Sequence, residues 1–209
     1  MDSISALSWR YATKKFDASK QLPEDKLTTL KKAFNLTATS YGLQPLQLVV
    51  IKDKNLQQEL VEHSMGQQQV AQASHVLVFC IEKEINENYI KEYFKRVQRI
   101  RNTPDTILDP FKNFLIDDFK AKEREQIKQW SINQAYLAMG NLLTVCALEH
   151  IDACPMEGFS PVAYDQALAL KSKNLQSVLV MPIGYRAKDD IFAEMEKVRR
   201  PLSETITEL

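Results

Sequence analysis

The chain has 209 residues and no net charge at neutral pH, because 27 Lys and Arg balance 27 Asp and Glu. This balance argues against nucleic acid or an anionic membrane as a partner, so any anionic ligand is expected to be held by local geometry. Apolar residues make up 44% of the chain and no linker divides it, so we expect one domain over residues 1–209.

Targeting and redox features predict a cytoplasmic protein. The N-terminal sequence MDSISALSWRY lacks the basic region and apolar run of a secretory signal. No apolar stretch reaches the roughly 18 residues that a membrane span needs. The cysteines Cys80, Cys146 and Cys154 lie in apolar surroundings and are predicted to be buried, reduced thiols. The histidines are scattered, so no metal site is expected.

Helix and strand patterns alternate in the first half of the chain. Helices are predicted over residues 2–11 and 23–35, the second beginning near a proline that suits a first helical turn. Residues 46–52 are predicted as a strand and 54–63 as a helix. Residues 74–81 (SHVLVFCI) are apolar almost throughout, which is typical of a central strand covered on both faces.

Helices dominate the second half of the chain. Residues 86–101 and 110–119 are predicted as charged helices in a peripheral excursion over about 86–120. The longest helical pattern covers residues 122–149, and its second half (WSINQAYLAMGNLLTVCAL) is apolar nearly all round. That pattern indicates a helix buried inside an assembly. Short strands are predicted at 152–154 and 176–184.

The order of these elements predicts an α+β fold, with a sheet of four to five strands wrapped by helices. The tail at 186–209 is charged, carries Pro201 and has no clear period. A tail of this kind is hard to stabilise alone, so we expect it to pack onto a partner subunit in a homodimer.

Positive charge is concentrated near both ends of the sequence. Arg10, Lys14 and Lys15 fall in the run RYATKKFD, and Lys197 and Arg199 fall in KVRRP. These groups are predicted to meet around one anion, most simply a phosphate, because Arg forks onto phosphate oxygens and Lys adds a point charge. The hydroxyl and backbone N–H of the intervening threonine at position 13 are expected on the same anion. Solvated basic turns are the alternative.

Two further segments have the composition of ligand-binding loops. TATSYGLQP, at 37–45, combines small hydroxyl residues with a glycine, and Gln44 offers both a donor and an acceptor, as reading an imide edge requires. CPMEGF, at 154–159, follows a strand and can present a backbone N–H to a ligand. Ordinary connecting loops are the alternative for both. The pairs Asp117-Asp118 and Asp189-Asp190 are predicted to be solvated.

Several common motifs are absent from the sequence. No GxGxxG or GxxxxGK[ST] occurs, so neither a dinucleotide-binding unit nor a phosphate-loop NTPase is supported. No GxSxG nucleophile elbow occurs either, which argues against an α/β-hydrolase.

Taken in order, these stretches resemble the FMN-dependent nitroreductase family, in particular its oxygen-insensitive NAD(P)H nitroreductases and dihydropteridine-reductase-like enzymes. The resemblance covers nearly the whole chain. It rests on six segments: RYATKKFD (10–17), TATSYGLQP (37–45), ASHVLVFC (73–80), QAYLAMGNLL (134–143), PMEGF (155–159) and KVRRP (197–201). It implies a central antiparallel or mixed sheet and an intertwined homodimer, with a long buried interface helix and the C-terminal extension lying on the partner.

The resemblance also implies two FMN molecules at the subunit interface. Arg10, Lys197 and Arg199 would bind the FMN phosphate, and Lys14 would lie near the N1–C2 edge of the flavin, where a cation stabilises the reduced ring. The turn at 155–158 would cover the flavin near N5, and the loop at 38–44 would come from the other subunit. The implied cofactor-binding residues are Arg10, Tyr11, Ala12, Lys14, Ala38, Thr39, Ser40, Gln44, Gln67, Gln69, Pro155, Met156, Glu157, Gly158, Lys197 and Arg199.

Some positions depart from the family pattern. Tyr11-Ala12 replaces a frequent His-Ser pair, and the loop at 38–42 lacks the usual Asn. Gln67 and Gln69 stand where relatives offer an Asn and a Lys, so neutral hydrogen bonds would replace a cation there. The region at 90–120 diverges most. Its aromatic residues Phe111, Phe114 and Phe119 are the candidates for substrate binding.

The implied reaction is ping-pong. NAD(P)H would pass hydride to flavin N5 and leave, and a nitroaromatic, quinone or similar acceptor would then take its place. No catalytic side chain or metal is expected, because the flavin carries the chemistry. The alternatives are a non-catalytic FMN carrier or sensor on the same fold, or a specialised relative such as a flavin-donating reductase or a dehalogenase.

Overall fold

The computed structural model describes residues 2–209, in which helices and strands alternate along the chain. The helices are α1 (Ser3–Trp9), α2 (Glu24–Asn35), α3 (Lys54–Glu59), α4 (Gln69–Gln72), α5 (Glu87–Arg101), α6 (Asp105–Ala121), α7 (Arg124–Leu148), α8 (Pro161–Ala167) and α9 (Leu202–Thr205). The strands are β1 (Leu46–Ile51), β2 (His75–Glu82), β3 (Asp152–Ala153) and β4 (Leu175–Gly184).

The four strands form one antiparallel sheet in the order β1-β2-β4-β3. The predicted α+β class is confirmed, and the sheet is wholly antiparallel rather than mixed. β2 and β4 are the central pair, which joins residues about one hundred positions apart, such as Val78 and Val180. The short strand β3 forms an edge, and the candidate site is built beside it.

Both faces of β2 are covered, as its nearly continuous apolar sequence predicts. Val76, Val78 and Cys80 face a cluster that includes Leu60 and Tyr164. The alternate residues of the strand face a second cluster, formed with α2 and α7. Successive side chains of a strand point to opposite faces, so a strand covered on both sides must be apolar at every position.

The long helix α7 has a buried face and an open face in the single chain. It begins with a capping box between Glu123 and Gln126, and its inward face packs on the sheet through residues such as Ala138 and Leu142. Its outward face carries a stripe of apolar and small residues at helical spacing, which we call the open face of α7. That stripe is Tyr136, Leu137, Gly140, Thr144 and Leu148, of which Leu137 is 56% exposed.

Several boundaries differ from the predictions. The helix expected at 110–119 begins at Asp105, because Pro104 precedes its first turn and Pro110 is accommodated inside it. The helix expected at 54–63 ends at Glu59 and is followed by a 3-10 turn, Glu62–Ser64. Helix α8 was not predicted at all, although Ser160 caps it and Pro161 occupies its first turn.

The C-terminal tail packs little against the rest of the chain. After β4 it forms a 3-10 turn, Ile191–Glu194, and the short helix α9. Its apolar side chains are largely exposed, and Val198 is 90% exposed. The exposed group also includes Met195, Leu202 and Ile206.

The three cysteines are free and buried, as predicted. Burial raises the pKa of the Cys80 and Cys146 thiols to about 12. Among residues 2–209 no group of three or more His, Cys, Asp or Glu is placed to hold a metal ion. None of the described helices is both long and apolar enough to cross a bilayer.

Candidate functional site

The basic run at 10–17 is held between β3 and the segment that follows β4. Ala12 pairs with Ala153 in a parallel bridge, and the Thr13 N–H donates to the Ala153 carbonyl at 3.3 Å. Further along, the Asp17 N–H donates to the carbonyl of Tyr185 at 2.8 Å. These backbone contacts fix the run at the open edge of the sheet.

The cations from the two ends of the chain meet beside this run, as the sequence predicted. The Lys197 ammonium donates to the Ser8 carbonyl, two residues before Arg10. Burial lowers the pKa of the Arg10 guanidinium, and the positive charge of Arg199 lowers it further. Burial also lowers the pKa of Lys197, and repulsion from Arg10 and Arg199 adds to that effect.

These cations lack carboxylate partners. Within residues 2–209, none of Arg10, Lys14, Lys197 and Arg199 forms an ion pair. Three of the like charges repel one another, so an anion bound between them would be stabilised. A neighbouring cleft of about 520 Å³ is lined by Lys197, the paired Arg186 and Glu196, among others, but not by Arg10, Lys14 or Arg199.

Lys15 and Thr13 do not belong to this cluster. Lys15 forms an exposed ion pair with Asp189. Thr13 is fully buried, with its N–H used by Ala153 and its hydroxyl 3.5 Å from an Asp152 oxygen. The expectation that Thr13 contacts the anion is therefore wrong, because both of its polar groups face the protein.

Asp190, predicted to be solvated, is a buried carboxylate that organises the basic run. One of its oxygens accepts from the Tyr11 hydroxyl at 2.8 Å, from the Lys14 N–H at 2.9 Å and from the Lys15 N–H at 3.0 Å. The other accepts from the Phe192 N–H at 3.1 Å. Its neighbour Asp189 is exposed, so the prediction fails for one member of the pair only.

A second buried carboxylate neutralises the cation that follows β4. Asp152 accepts from the Arg186 backbone N–H at 2.8 Å and from its side-chain Nε at 2.7 Å. The guanidinium also lies over the rings of Trp9 and Tyr11, 4.2 and 4.6 Å from their centroids. Arg186 is thus a paired, structural cation and differs from the unpaired group around Arg10.

The predicted turn at 155–158 lies at the end of the β3 edge and rests on the segment before α4. Met156 pairs with Val180 through its backbone, and its side chain is buried in the core, so it anchors the turn from below. The Gln67 amide donates to the Gly158 carbonyl at 3.0 Å. The Tyr136 hydroxyl, from the open face of α7, donates to Glu157 at 2.8 Å.

The remaining members of this group differ in accessibility. Pro155 and Gly158 are half-buried, whereas Gln69 is buried at the first position of α4. A methyl group added to Gly158 would lie 3.2 Å from both Gln67 Nε2 and Met65 Sδ. The turn and the 65–69 segment are therefore in close contact.

The loop at 38–44 lies elsewhere in the chain. Its Ser40 N–H donates to the Gln134 side chain of α7 at 2.8 Å, and the Gln44 amide donates to the Asn35 carbonyl at 2.9 Å. None of the hydrogen bonds of residues 2–209 joins this loop to segments 10–17, 155–158 or 197–199. Within one chain, this loop is therefore not hydrogen-bonded to the other segments predicted to bind the cofactor.

The aromatic candidates surround this loop. Phe111 and Phe114 are 46% and 56% exposed, and their rings are nearly parallel with centroids 6.2 Å apart. Tyr41 packs against Phe111, with ring centroids 6.4 Å apart. Phe119 is buried beneath them against Trp130, so its role in the chain is packing.

Sequence reasoning missed three residues that position these segments: Asp190, Gln134 and Tyr89. Each is a polar side chain that binds backbone groups distant in sequence, such as Asp190 to Lys14 or Tyr89 to the Leu43 carbonyl. A buried amide within the apolar half of α7 was the available signal for Gln134. The other two residues lie in charged, ordinary-looking segments and give no signal.

The fold and the site together define an α+β protein whose sheet edge gathers unpaired cations beside a tight backbone turn. The nitroreductase family model matches residues 7–185. An oxygen-insensitive NAD(P)H nitroreductase of Enterobacter cloacae is 29% identical, and the alignment covers 100% of both chains. The protein of the same name from Salmonella typhimurium is 28% identical over 100% of both chains.

The fold comparison agrees with the sequence comparison. A protein of Exiguobacterium sibiricum that is described as a nitroreductase, solved in complex with FMN, superposes with a TM-score of 0.85 at 17% identity, covering 100% of this chain and 98% of that one. The chain belongs to the nitroreductase family and is an NAD(P)H oxidoreductase of that family.

Proposed function

We propose that this protein is an FMN-dependent NAD(P)H oxidoreductase that passes hydride from NAD(P)H to nitroaromatics, quinones or similar acceptors by a ping-pong mechanism. The observation that carries the proposal is the group of unpaired cations that the two chain ends bring to the β3 edge. In a member of the nitroreductase family, FMN is the anion that suits them. When bound, FMN supplies the hydride chemistry.

The residues of the chain fit the two ends of this cofactor. Arg10, Lys197 and Arg199 would hold the phosphate, whose charge relieves their mutual repulsion. Lys14 is exposed and forms no ion pair, and it would lie near the isoalloxazine, where a cation favours the reduced ring. Pro155, Glu157 and Gly158 would cover the ring, with Gln67 and Gln69 supporting them. Tyr11 and Ala12 would border the site.

The remaining part of the proposed site would come from a second subunit. Ala38, Thr39, Ser40 and Gln44 lie on a loop that does not meet the cations within one chain. We propose a homodimer in which this loop of one subunit completes the FMN site of the other. The open face of α7 and the exposed apolar side chains of the tail, such as Val198, support this arrangement, because both leave apolar surface uncovered.

We propose that electron acceptors lie against the excursion at about 86–120. The paired, half-exposed rings of Phe111 and Phe114 offer flat apolar surface of the kind that aromatic acceptors stack on. Phe119 would support these rings from below. We propose that the excursion forms one domain with the rest of residues 1–209. A cytoplasmic location is supported by the three free, buried thiols.

The first experiment tests the cofactor. Purified protein should show a flavin absorbance band, and the apoprotein should take up FMN on titration. Lys197→Ala should raise the FMN dissociation constant by about tenfold or more, because a charge-assisted hydrogen bond contributes about 1.5–3 kcal/mol. Its binding of riboflavin, which has no phosphate, should stay unchanged.

The matched control is Arg200→Ala, which removes an exposed cation of the same segment that has no assigned role. It should leave FMN affinity unchanged. No flavin band and no FMN uptake by the wild type would overturn the cofactor assignment. If Lys197→Ala weakened the binding of FMN and of riboflavin equally, Lys197 would not be a phosphate ligand.

The second experiment tests the reaction. Under anaerobic conditions NADH or NADPH should bleach the flavin, and a nitroaromatic or quinone should restore its colour. Steady-state rates at several acceptor concentrations should give the parallel double-reciprocal lines of a ping-pong scheme. Flavin that is bound tightly but not reduced by either nucleotide would favour a carrier or sensor instead.

A further inference from the structure

Asp190 is a buried carboxylate at the place where the two ends of the chain meet. It is 5% exposed and accepts four hydrogen bonds, one of them from the Tyr11 hydroxyl and two from the N–H groups of Lys14 and Lys15. The fourth comes from the Phe192 N–H, in the 3-10 turn that Asp190 caps. The same carboxylate therefore binds the basic run and the start of the C-terminal tail.

The charge of Asp190 is balanced by backbone and hydroxyl dipoles alone. It forms no ion pair with any cation of residues 2–209. Burial pushes the pKa of this carboxyl upward, but the hydrogen bonds from Tyr11, Lys15, Lys14 and Phe192 outweigh that effect and leave the pKa below its ordinary value. The group is thus ionised at neutral pH, and its acceptor capacity is fully available to these donors.

The contacts of Asp190 orient groups that it does not itself neutralise. The hydrogen bond from the Lys14 N–H to Asp190 fixes the backbone at Lys14, and this sets the position from which its exposed side chain extends. Fixing the turn at Ile191–Glu194 sets the path of the chain toward Lys197, whose ammonium reaches the Ser8 carbonyl. The Asp190 side chain therefore fixes the positions of Lys14 and Lys197 relative to each other.

We propose that Asp190 is a positioning residue that holds Lys14 and Lys197 in register for FMN. The proposal rests on the function proposed above. It makes a counter-intuitive prediction, because removing a negative charge near a cation cluster should by Coulomb attraction alone tighten the binding of an anion. If Asp190 positions the cations, removing its charge should instead weaken FMN binding.

The test is Asp190→Asn, with Asp189→Asn as the matched control. Both variants remove one negative charge at adjacent positions, but Asp189 is exposed and pairs only with Lys15. We expect Asp190→Asn to raise the FMN dissociation constant of the apoprotein about tenfold, because charge-assisted hydrogen bonds are roughly twice as strong as neutral ones. Asp189→Asn should leave the constant unchanged or lower it.

The flavin midpoint potential provides a readout that general loss of stability would not move. A misplaced Lys14 stabilises the reduced ring less, so the potential of Asp190→Asn should fall relative to that of Asp189→Asn. Tyr11→Phe removes one donor and keeps the carboxylate, so it should shift both quantities in the same direction by a smaller amount. This variant decides the question if Asp190→Asn does not fold.

The outcomes separate this proposal from the cofactor assignment. Wild-type protein that takes up no FMN overturns the function itself. Wild-type protein that binds FMN, with Asp190→Asn binding it equally or more tightly and Tyr11→Phe unchanged, overturns the positioning role alone. Equal shifts of the potential in both Asn variants would also overturn it, because charge removal would then explain the effect.

Discussion

Gly42 occupies a backbone conformation that side chains rarely tolerate. Its φ is +72°, and a Cβ added there would lie 2.6 Å from the Tyr93 hydroxyl oxygen. Gly66 has the same φ of +72°, but an added Cβ would have no neighbour within 4 Å. The two glycines therefore separate the cost of the backbone conformation from the cost of a steric clash.

Gly66→Ala should destabilise the protein by about 1 kcal/mol, because L-residues pay about that amount in the left-handed region. Gly42→Ala should cost about 1 kcal/mol or more beyond this, since the Tyr93 ring must also shift. Urea unfolding of both variants measures the difference. Adding Tyr93→Phe, which deletes the clashing oxygen, should recover part of the loss in Gly42→Ala and none in Gly66→Ala.

If both alanine variants lost the same free energy of unfolding, the Tyr93 side chain would be able to move away from the added Cβ without cost. Full recovery in the Gly42→Ala, Tyr93→Phe double variant would contradict the assumed backbone penalty.

At the scale of elements, helix α5 binds the loop at 38–44 through the hydroxyl of Tyr89. The Tyr89 hydroxyl lies 2.9 Å from each of the Leu43 and Gln44 carbonyl oxygens. Tyr41 and Gln44 in this loop both have a positive φ, 57° and 48°. Residues other than glycine adopt this backbone conformation at a cost in free energy. The clamp by Tyr89 helps to maintain this conformation.

Tyr89→Phe should reduce the free energy of unfolding by about 1 kcal/mol, because the single O–H hydrogen bond that the two carbonyls share is lost. If the loop completes the neighbouring subunit's FMN site, the same variant should also weaken FMN binding several-fold. The control is Tyr93→Phe, one turn further along α5, whose hydroxyl makes no hydrogen bond within residues 2–209. Calorimetry and FMN titration of both variants provide the measurements, and equal effects would argue against the clamp.

Elements with a strong local pattern could be predicted from the sequence. The continuous apolar run of β2 and the helical spacing in α2 both gave the right type and nearly the right ends. The predicted start of α6 at residue 110 is too late, because Pro110 resembles a first-turn proline, whereas the helix begins directly after Pro104. The sequence signal for α8 is Ser160 followed by Pro161, a helix cap and a first-turn proline.

The parts of the site that concentrate charge could be predicted from the sequence. The residues that position them through contacts distant in sequence could not. Arg10 and Lys197 could be expected to meet, because cations at both ends of a neutral chain suggest one anion. Asp190 could not be distinguished from its solvated neighbour, because its partners lie about 175 positions away. Thr13 was misassigned because no sequence pattern shows that β3 takes up its N–H.

At the scale of the whole molecule, the open face of α7 provides a test of the proposed dimer. Wild-type protein should elute with twice the 24.0 kDa mass of the chain in size-exclusion chromatography with light scattering. Leu137→Glu places a charge on this exposed apolar stripe and should shift the protein toward the single-chain mass, because a buried charge opposes association. FMN retention should fall with it, since each site would lose its second subunit.

The control is Val162→Glu, which adds the same charge at another exposed apolar position, on α8. It should remain dimeric and keep its FMN. A wild-type monomer that binds FMN tightly would contradict the shared site.

The pairing of β2 with β4 also determines when the protein can fold during its synthesis. The centre of the sheet joins residues 75–82 to residues 175–184, so β2 can pair with β1 early but must wait for its second partner until residue 184 has been synthesised. Until then one edge of β2 and the apolar groups destined for both its faces are exposed. A polypeptide truncated before β4 would keep that edge and apolar surface exposed, so we expect it to aggregate rather than fold into a smaller working protein.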